Sequence, residues 1–250
     1  RDAQESRGLG DVYKRQPKQG NTLEEYEDAV FHSSWLKNPP TALFRAAVAD
    51  GATEASFSKA WANLVVQAYC QGELNDEKTL IQHLPRLQKQ WYAKVTQKPL
   101  PWYAVDKLQR GAFSALFGLT LYKNRYDIMA IGDSCLFHIR DDKLENAFPI
   151  AHSEQFNNRP LLLSSVAAPN ENIAQHILYK QTLSLQSGDE FYLMTDALAC
   201  WFLQMSEKKR QPWLTMRSLK PNHFEKWIAK LRNTKALRND DVTLLRIITQ

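Results

Sequence analysis

Apolar positions along this chain recur in two rhythms: short runs that read as strands, and longer stretches with helical spacing. Residues 28–33 and 43–49 are the first two short runs, and the second stops at Asp50-Gly51, where a glycine suits a tight turn. Helical spacing follows. Phe57, Trp61, Leu64, Val65 and Ala68 share one stripe over about 55–71, and Leu80, Leu84, Leu87, Trp91 and Val95 share another over about 77–95. Asn75 or Asp76 would cap the second helix, and Pro85 inside it predicts a kink or a split. A short helix at 103–109 leads into runs at 111–122, 126–131, 135–140 and 144–148, separated by Lys123-Asn124, Gly132-Asp133 and Asp141-Asp142. That spacing predicts an antiparallel meander. Residues 150–188, with Asn157-Asn158, Pro160, Pro169 and Asn170, read as a less regular, loop-rich segment. A strand at 191–195, helices at 197–206 and 222–232, and a last strand at 242–248 complete the pattern. Strands at both ends with helices between them favour the α+β class: two antiparallel sheets flanked by helices.

Composition narrows the reading. The chain has 250 residues with 44% apolar content, enough for a full core. Three cysteines, Cys70, Cys135 and Cys200, have no paired spacing, which argues against a disulfide scaffold and against a zinc site. No apolar run reaches the length that spans a membrane; the longest, 111–122, is interrupted by Ser114, Gly118 and Thr120. These features predict a soluble, cytoplasmic protein without a membrane partner. The net charge of +5 is scattered, and Lys208-Lys209-Arg210 reads as solvated surface, so no nucleic-acid partner is expected. Trp61, Trp91, Trp102, Trp201, Trp213 and Trp227 read as core and not as a stacking platform. Residues 1–16 lack an initiator Met and apolar periodicity, and they resemble adaptor-derived sequence. We set them outside the fold, with one domain expected over 17–250.

The candidate chemistry lies in acidic motifs placed where strand-like runs stop: E-Y-E-D-A at 25–29, V-A-D-G-A at 48–52, I-G-D-S at 131–134, M-T-D-A ending at 197, and N-D-D-V-T at 239–243. Carboxylates gathered at strand ends repel one another unless cations lie between them, and all-oxygen donors favour hard cations, Mg²⁺ or Mn²⁺. A single D-G is usually a turn, and Asp196 alone would read equally as a helix cap. Covalent routes find no support, since G-x-S-x-G, C-x₅-R and P-loop patterns are all missing.

Taken in order, E-D-A, V-A-D-G, I-G-D-S-C-L-F, L-x-S-G-D-E-F-Y-L-M-T-D and N-D-D-V-T-L-L resemble the metal-dependent type-2C serine/threonine protein phosphatases, in particular a bacterial branch, over about 19–248. The resemblance implies a four-layer α-β-β-α sandwich, with two central antiparallel sheets and helices on both outer faces. It implies two Mg²⁺ or Mn²⁺ ions. Asp50 would bridge them, Asp196 and Asp240 would complete one, and the carbonyl of Gly51 would serve the other. Glu27 and Asp28 would hold waters on the ions, and Asp133 would contribute to a third, weaker site. Asp50, Asp196 and Asp240 would thus carry catalysis, the hydrolysis of phosphoserine and phosphothreonine by water activated between the ions. A phosphoprotein is the implied substrate and a serine/threonine kinase a candidate partner, with the phosphatase acting as a monomer. A mobile flap would fall within 150–188. The leaving-group acid stays unassigned, with His32 and His138 among the choices.

Three positions depart from the family pattern. The phosphate-gripping arginine expected before the E-D pair is missing from 20–24, which leaves Arg45 and Lys18 only by default. The acidic residue expected four positions after Asp196 is Cys200, which removes a ligand of the third ion. The V-A-D-G motif continues as Ala52-Thr53-Glu54 without a glycine-rich turn. These departures keep a second reading open: a phosphatase-like module that binds phosphoproteins or regulates a kinase without turnover.

Overall fold

The structure, a computed structural model, describes residues 12–38, 43–52, 57–157, 159–182 and 184–249. The chain begins with β1 (Val12–Gln16), β2 (Ala29–His32) and β3 (Phe44–Ala49), followed by α1 (Ser58–Cys70), α2 (Glu77–Val95) and α3 (Trp102–Arg110). Then come β4 (Phe113–Ser114), β5 (Leu116–Leu121), β6 (Tyr126–Ile131), β7 (Cys135–Arg140), β8 (Lys143–Phe148), β9 (Leu163–Ser164) and β10 (Leu178–Thr182). The last elements are β11 (Glu190–Met194), α4 (Asp196–Glu207), α5 (Pro212–Ser218), α6 (Phe224–Asn233) and β12 (Val242–Ile248). They fall into two compact units, one drawn from Arg1–Tyr26, Asp133–Asn158 and Gln186–Gln250, the other from Glu27–Gly132 and Arg159–Leu185.

The second of these units holds a five-stranded antiparallel sheet, ordered β10-β6-β5-β3-β2, with α1 to α3. Alternate strand residues Ala47, Ala49, Met129 and Ile131 pack with Trp61, Val65 and Tyr69 of α1. Tyr69 lies so close on β5 that a Cβ at Gly118 would sit 2.2 Å from its ring, and its hydroxyl bonds the Thr120 hydroxyl at 3.0 Å. Asp76 caps α2 by accepting from the Thr79 amide at 2.8 Å, with Thr79 reaching back to the Asp76 amide at 3.0 Å. Pro85 neither ends nor splits α2. The backbone bond it removes would end on the carbonyl of Ile81, an exposed residue where water can substitute, while Leu80, Leu84, Leu87 and Trp91 stay buried.

The other unit holds the sheet β1-β12-β11-β7-β8 with α4 to α6. Cys135, Phe137, Tyr192, Met194 and Leu244 pack against Phe202, Trp213 and Ile228, and Phe137 stacks on Phe202 at 4.1 Å.

The α+β class and the two antiparallel sheets are as expected, but several local details differ. The four central runs do not form one meander. They are two hairpins, β5–β6 and β7–β8, in different sheets, parted at Gly132, whose φ of +92° redirects the chain. The loop-rich 150–188 stretch also holds two short strands that its sequence does not mark, β10 paired with β6 and β9 with β4. As an edge strand, β10 exposes Leu178 and Tyr179 and so lacks the buried alternation that marks a strand. Helix α5 went unread although Pro212 opens it at the position where proline fits best. Trp102 is 86% exposed and is not core. Residues 12–16, set outside the fold by their sequence, pair with all of 242–246, because an edge strand is held by its backbone and needs no apolar periodicity. Residues 1–11 lie outside the described residues.

Candidate functional site

Each unit presents an acidic sheet end. In the β2–β3 sheet the last described pair is Ala29 with Ala49, so Asp28 and Asp50 take the next opposing positions. Like charges placed opposite one another repel, and a cation offsets that. Asp28 is buried and Asp50 half-buried. The turn after Asp50 is pinned: the Ala115 amide donates to the Asp50 carbonyl at 2.8 Å, Gly51 bridges to Ser114, and the Ala52 amide donates to the Phe113 carbonyl at 3.0 Å. A Cβ at Gly51 would lie 2.7 Å from the Glu27 carbonyl oxygen, so the absent side chain is what lets the two backbones approach. Thr53 and Glu54, the other departure in this turn, lie outside the described residues.

In the β1–β12–β11–β7–β8 sheet, Met194 pairs with Cys135 on one side and Leu244 on the other. Two steps further, Asp196 and Asp133 occupy opposing positions, and Asp240 precedes β12 on the same edge. Asp196 is the first residue of α4, whose cap position is Thr195, so the reading of Asp196 as a helix cap fails. The Thr195 hydroxyl accepts from the Thr243 amide at 3.0 Å and fastens the two strand ends together. Behind Asp240, Asp241 accepts from the Lys18 amide at 2.8 Å, and Arg232 donates to the carbonyls of Pro17 at 2.8 Å and Asp240 at 2.5 Å.

The electrostatics centre on Asp196 and Asp133. The Asp196 side chain is 10% exposed; Oδ2 accepts from the Arg238 guanidinium, while Oδ1 is buried and has no hydrogen-bond partner among the described residues. The same guanidinium nitrogen lies 3.7 Å from Asp240 Oδ2. Burial pushes the Asp133 carboxyl up to about 6, and Asp240 adds to this, while its own amide and Arg238 oppose it. A vacant buried carboxylate oxygen, a backbone turn with no room for a side chain, and donors that are all oxygen fit hard divalent cations. Among the described residues, however, no three His, Cys, Asp or Glu side chains gather as a ready cage. Arg238 lies against Asp196 instead.

Other expectations can be placed. Cys200 is half-buried, receives a bond from Gln204 Nε2 at 3.6 Å, and has its thiol pushed up by burial, so it offers no anionic ligand near neutral pH. Arg45 stands five residues before Asp50 on β3, about 17 Å away along an extended strand. Both histidines are buried: His32 packs on Trp35 at 3.9 Å, and His138 stacks on Phe191 at 4.7 Å with Nε2 3.1 Å from Asp189. Arg238 was missed. Its only signal in the sequence is a position two residues before Asp240.

Comparison with known proteins gives these edges a context. Among solved structures, the chain is similar to the Mycobacterium tuberculosis serine/threonine phosphatase PstP/Ppp, at 16% identity over 97% of this chain and 99% of that one, with a TM-score of 0.62. It is also similar to PppA, a regulatory component of the type VI secretion system of Pseudomonas aeruginosa, at 19% identity over 97% and 98% of the two chains, with a TM-score of 0.57. A third similar structure is the PstP catalytic domain in complex with 2 manganese ions, at 14% identity over 96% and 97%, with a TM-score of 0.54. At these identities the likeness shows a shared fold. No curated protein matches the sequence. Residues 24–239 do match the protein phosphatase 2C family, a span that includes Glu27, Asp28, Asp50, Gly51, Asp133 and Asp196 and stops one residue short of Asp240. The chain therefore belongs to the protein phosphatase 2C family.

Proposed function

We propose that this protein is a Mg²⁺- or Mn²⁺-dependent phosphatase that hydrolyses phosphoserine and phosphothreonine in proteins. The observation that carries the reading is Asp196, a buried carboxylate at a strand end with one oxygen on a guanidinium and the other without a partner among the described residues. Desolvating a carboxylate that far is costly unless a cation shares it.

Asp50, Asp196 and Asp240 are the proposed carboxylate ligands of two ions, with the Gly51 carbonyl as a further donor. Glu27 and Asp28 would orient waters, and Asp133 would serve a third, weaker position that lacks an acidic partner at Cys200. When bound, such ions supply a nucleophile from water at neutral pH and positive charge for the phosphoryl oxygens. The chain's part is to aim the donors. The strand ends hold them, the pinned Asp50-Gly51 turn fixes a carbonyl, and the Thr195–Thr243 bond keeps the ends of β11 and β12 together. A similar structure holds manganese, which supports this ion class. A serine/threonine kinase is the class of enzyme that must supply the substrate. Among the described residues no helix is long and apolar enough to cross a membrane.

The test is p-nitrophenyl phosphate hydrolysis with Mn²⁺, Mg²⁺ or EDTA, for wild type, Asp50→Asn and Asp196→Asn. Activity should require Mn²⁺ or Mg²⁺ and fall at least about 100-fold in either variant. Equal turnover in EDTA, or in the variants, would sink the reading. The guanidinium on Asp196 favours one alternative, a phosphoprotein-binding module without turnover. That reading expects phosphopeptide binding that survives both substitutions and no hydrolysis in any metal.

A further inference from the structure

Arg238 lies in the segment between α6 and β12, and the backbone around it is fastened. Arg232 holds the Asp240 carbonyl, Asn239 Oδ1 accepts from the Gln19 amide at 2.7 Å, and Asp241 accepts from the Lys18 amide. The Arg238 side chain is different. It is 47% exposed, and its ion-pair partners among the described residues are Asp196 and Asp240. A guanidinium therefore already neutralises two of the carboxylates proposed to ligate a divalent ion. Arg238 also lines a cavity of about 450 Å³, together with Arg232, Lys235, Phe156, Trp201 and Leu237. Arg232 is committed to carbonyls, which leaves Arg238 and Lys235 as the cations facing the cavity.

We propose that Arg238 is a built-in counter-ion of the Asp196–Asp240 pair which a divalent cation must displace, and that the displaced guanidinium turns to the adjoining cavity and binds the phosphoryl oxygens of the substrate. Three observations support this. Asp196 has one oxygen on Arg238 and one buried oxygen without a partner, so it is half neutralised and still offers a donor. A guanidinium is a planar fork of donors that suits carboxylate and phosphate equally, so one side chain can serve both in turn. The alternatives fail by position. Arg45 stands at the far end of β3 from Asp50, residues 20–24 contain no arginine, and Lys18 lines a different cavity, with Gln16 and Glu225, and has no planar fork. The phosphate-binding cation of this chain then comes from the segment before β12. The inference rests on the metal-dependent reading above and assigns that site its missing anion-binding group.

The experiment measures binding in two steps, without turnover. Mn²⁺ is titrated by calorimetry into wild type, Arg238→Gln, Arg238→Lys and Lys235→Gln, and inorganic phosphate is then titrated into each Mn²⁺-loaded protein. Far-UV circular dichroism and thermal unfolding report the fold of each variant. Arg238→Gln should bind Mn²⁺ about tenfold more tightly than wild type and phosphate at least tenfold more weakly. Arg238→Lys, which keeps the charge but loses the fork, should bind Mn²⁺ within about threefold of wild type and still lose phosphate affinity. Lys235→Gln removes the same charge from the same cavity and should leave Mn²⁺ affinity unchanged. Unaltered Mn²⁺ affinity in Arg238→Gln overturns the proposal and leaves the phosphatase reading standing. A Lys235→Gln protein that reproduces both effects also overturns it, because a diffuse field would then suffice. If none of the proteins binds Mn²⁺, both readings fall.

Discussion

Substituting Gly51 by alanine tests whether the turn after Asp50 is built around an absent side chain. The new Cβ would meet the Glu27 carbonyl oxygen at 2.7 Å and Ser58 Cβ at 3.1 Å, the first of them inside the 3.0 Å that real Cβ contacts respect. Gly51 is not in the left-handed region, so the strain would be spatial and not torsional. Relief requires backbone movement, and both sides are held. The Asp50 carbonyl, Gly51 and the Ala52 amide are bonded to the β4–β5 segment, and Glu27 precedes the paired residue Ala29. Overpacking of this kind costs about 1–3 kcal/mol. Backbone contacts are the least able to yield, so the upper half of that range is expected, as a shift in urea midpoint followed by circular dichroism. Moving the Gly51 carbonyl by a few tenths of an ångström should also weaken Mn²⁺ binding, read by calorimetry, by about tenfold or more. A Gly51→Ala protein within about 0.5 kcal/mol of wild type and with unchanged Mn²⁺ affinity would refute the reasoning.

Two further predictions concern the scaffold of each unit. Gly118→Ala would drive a Cβ to 2.2 Å from the Tyr69 ring, and thermal unfolding should show a loss of about 3 kcal/mol or more, partly recovered when Tyr69 is shortened to alanine in the same chain. Asp189, fully buried, accepts from Arg140 Nε and Nη2 at 2.7 Å each and from the Gln186 amide at 2.8 Å, so Asp189→Ala should cost about 3–5 kcal/mol in urea unfolding. Burial alone would raise the Asp189 carboxyl, but Arg140, the Gln186 amide and His138 outweigh it and hold the group below its ordinary value. Its stabilisation is therefore complete above the unfolded value near pH ~4 and is lost as pH falls further, through the folded value. Acid titration of stability should be steeper below about pH 4 in wild type than in Asp189→Ala, and equal slopes would contradict the assignment.

Elements whose apolar residues face one core were legible in the sequence. Helix α2 has the predicted bounds because Leu80, Leu84, Leu87 and Trp91 keep strict helical spacing, and β12 was placed at 242–248 because burial runs nearly unbroken along it. Elements held by other means were not. Strands β1 and β10 are edge strands fixed by backbone pairing, and the seven-residue α5 buries just Pro212, Trp213 and Met216. The acidic residues were legible as strand ends, since Asp50 and Asp196 follow apolar runs directly and Asp28, Asp133 and Asp240 stand just before them. The relation of Asp196 to Arg238 was not, because 42 residues separate them in the chain and a lone arginine before an N-D-D motif looks like solvated surface.

The arrangement of charge at that edge argues for exchange over permanent pairing. Asp196 and Asp240 share the Arg238 guanidinium, and two carboxylates roughly 5 Å apart repel by about 3 kcal/mol at an effective dielectric near 20. One guanidinium, bonded to Asp196 and 3.7 Å from Asp240, offsets that repulsion with a single charge. A divalent ion at the same place offers twice the charge, and it can also take the buried Asp196 oxygen that Arg238 leaves without a partner. The guanidinium is half in water and loses little hydration by letting go, so the balance tips with cation concentration. Raising Mn²⁺ above its Kd should then both stabilise the fold and create the phosphate site, two effects with one onset. An edge built only to bind phosphoproteins would show the phosphate site without the metal.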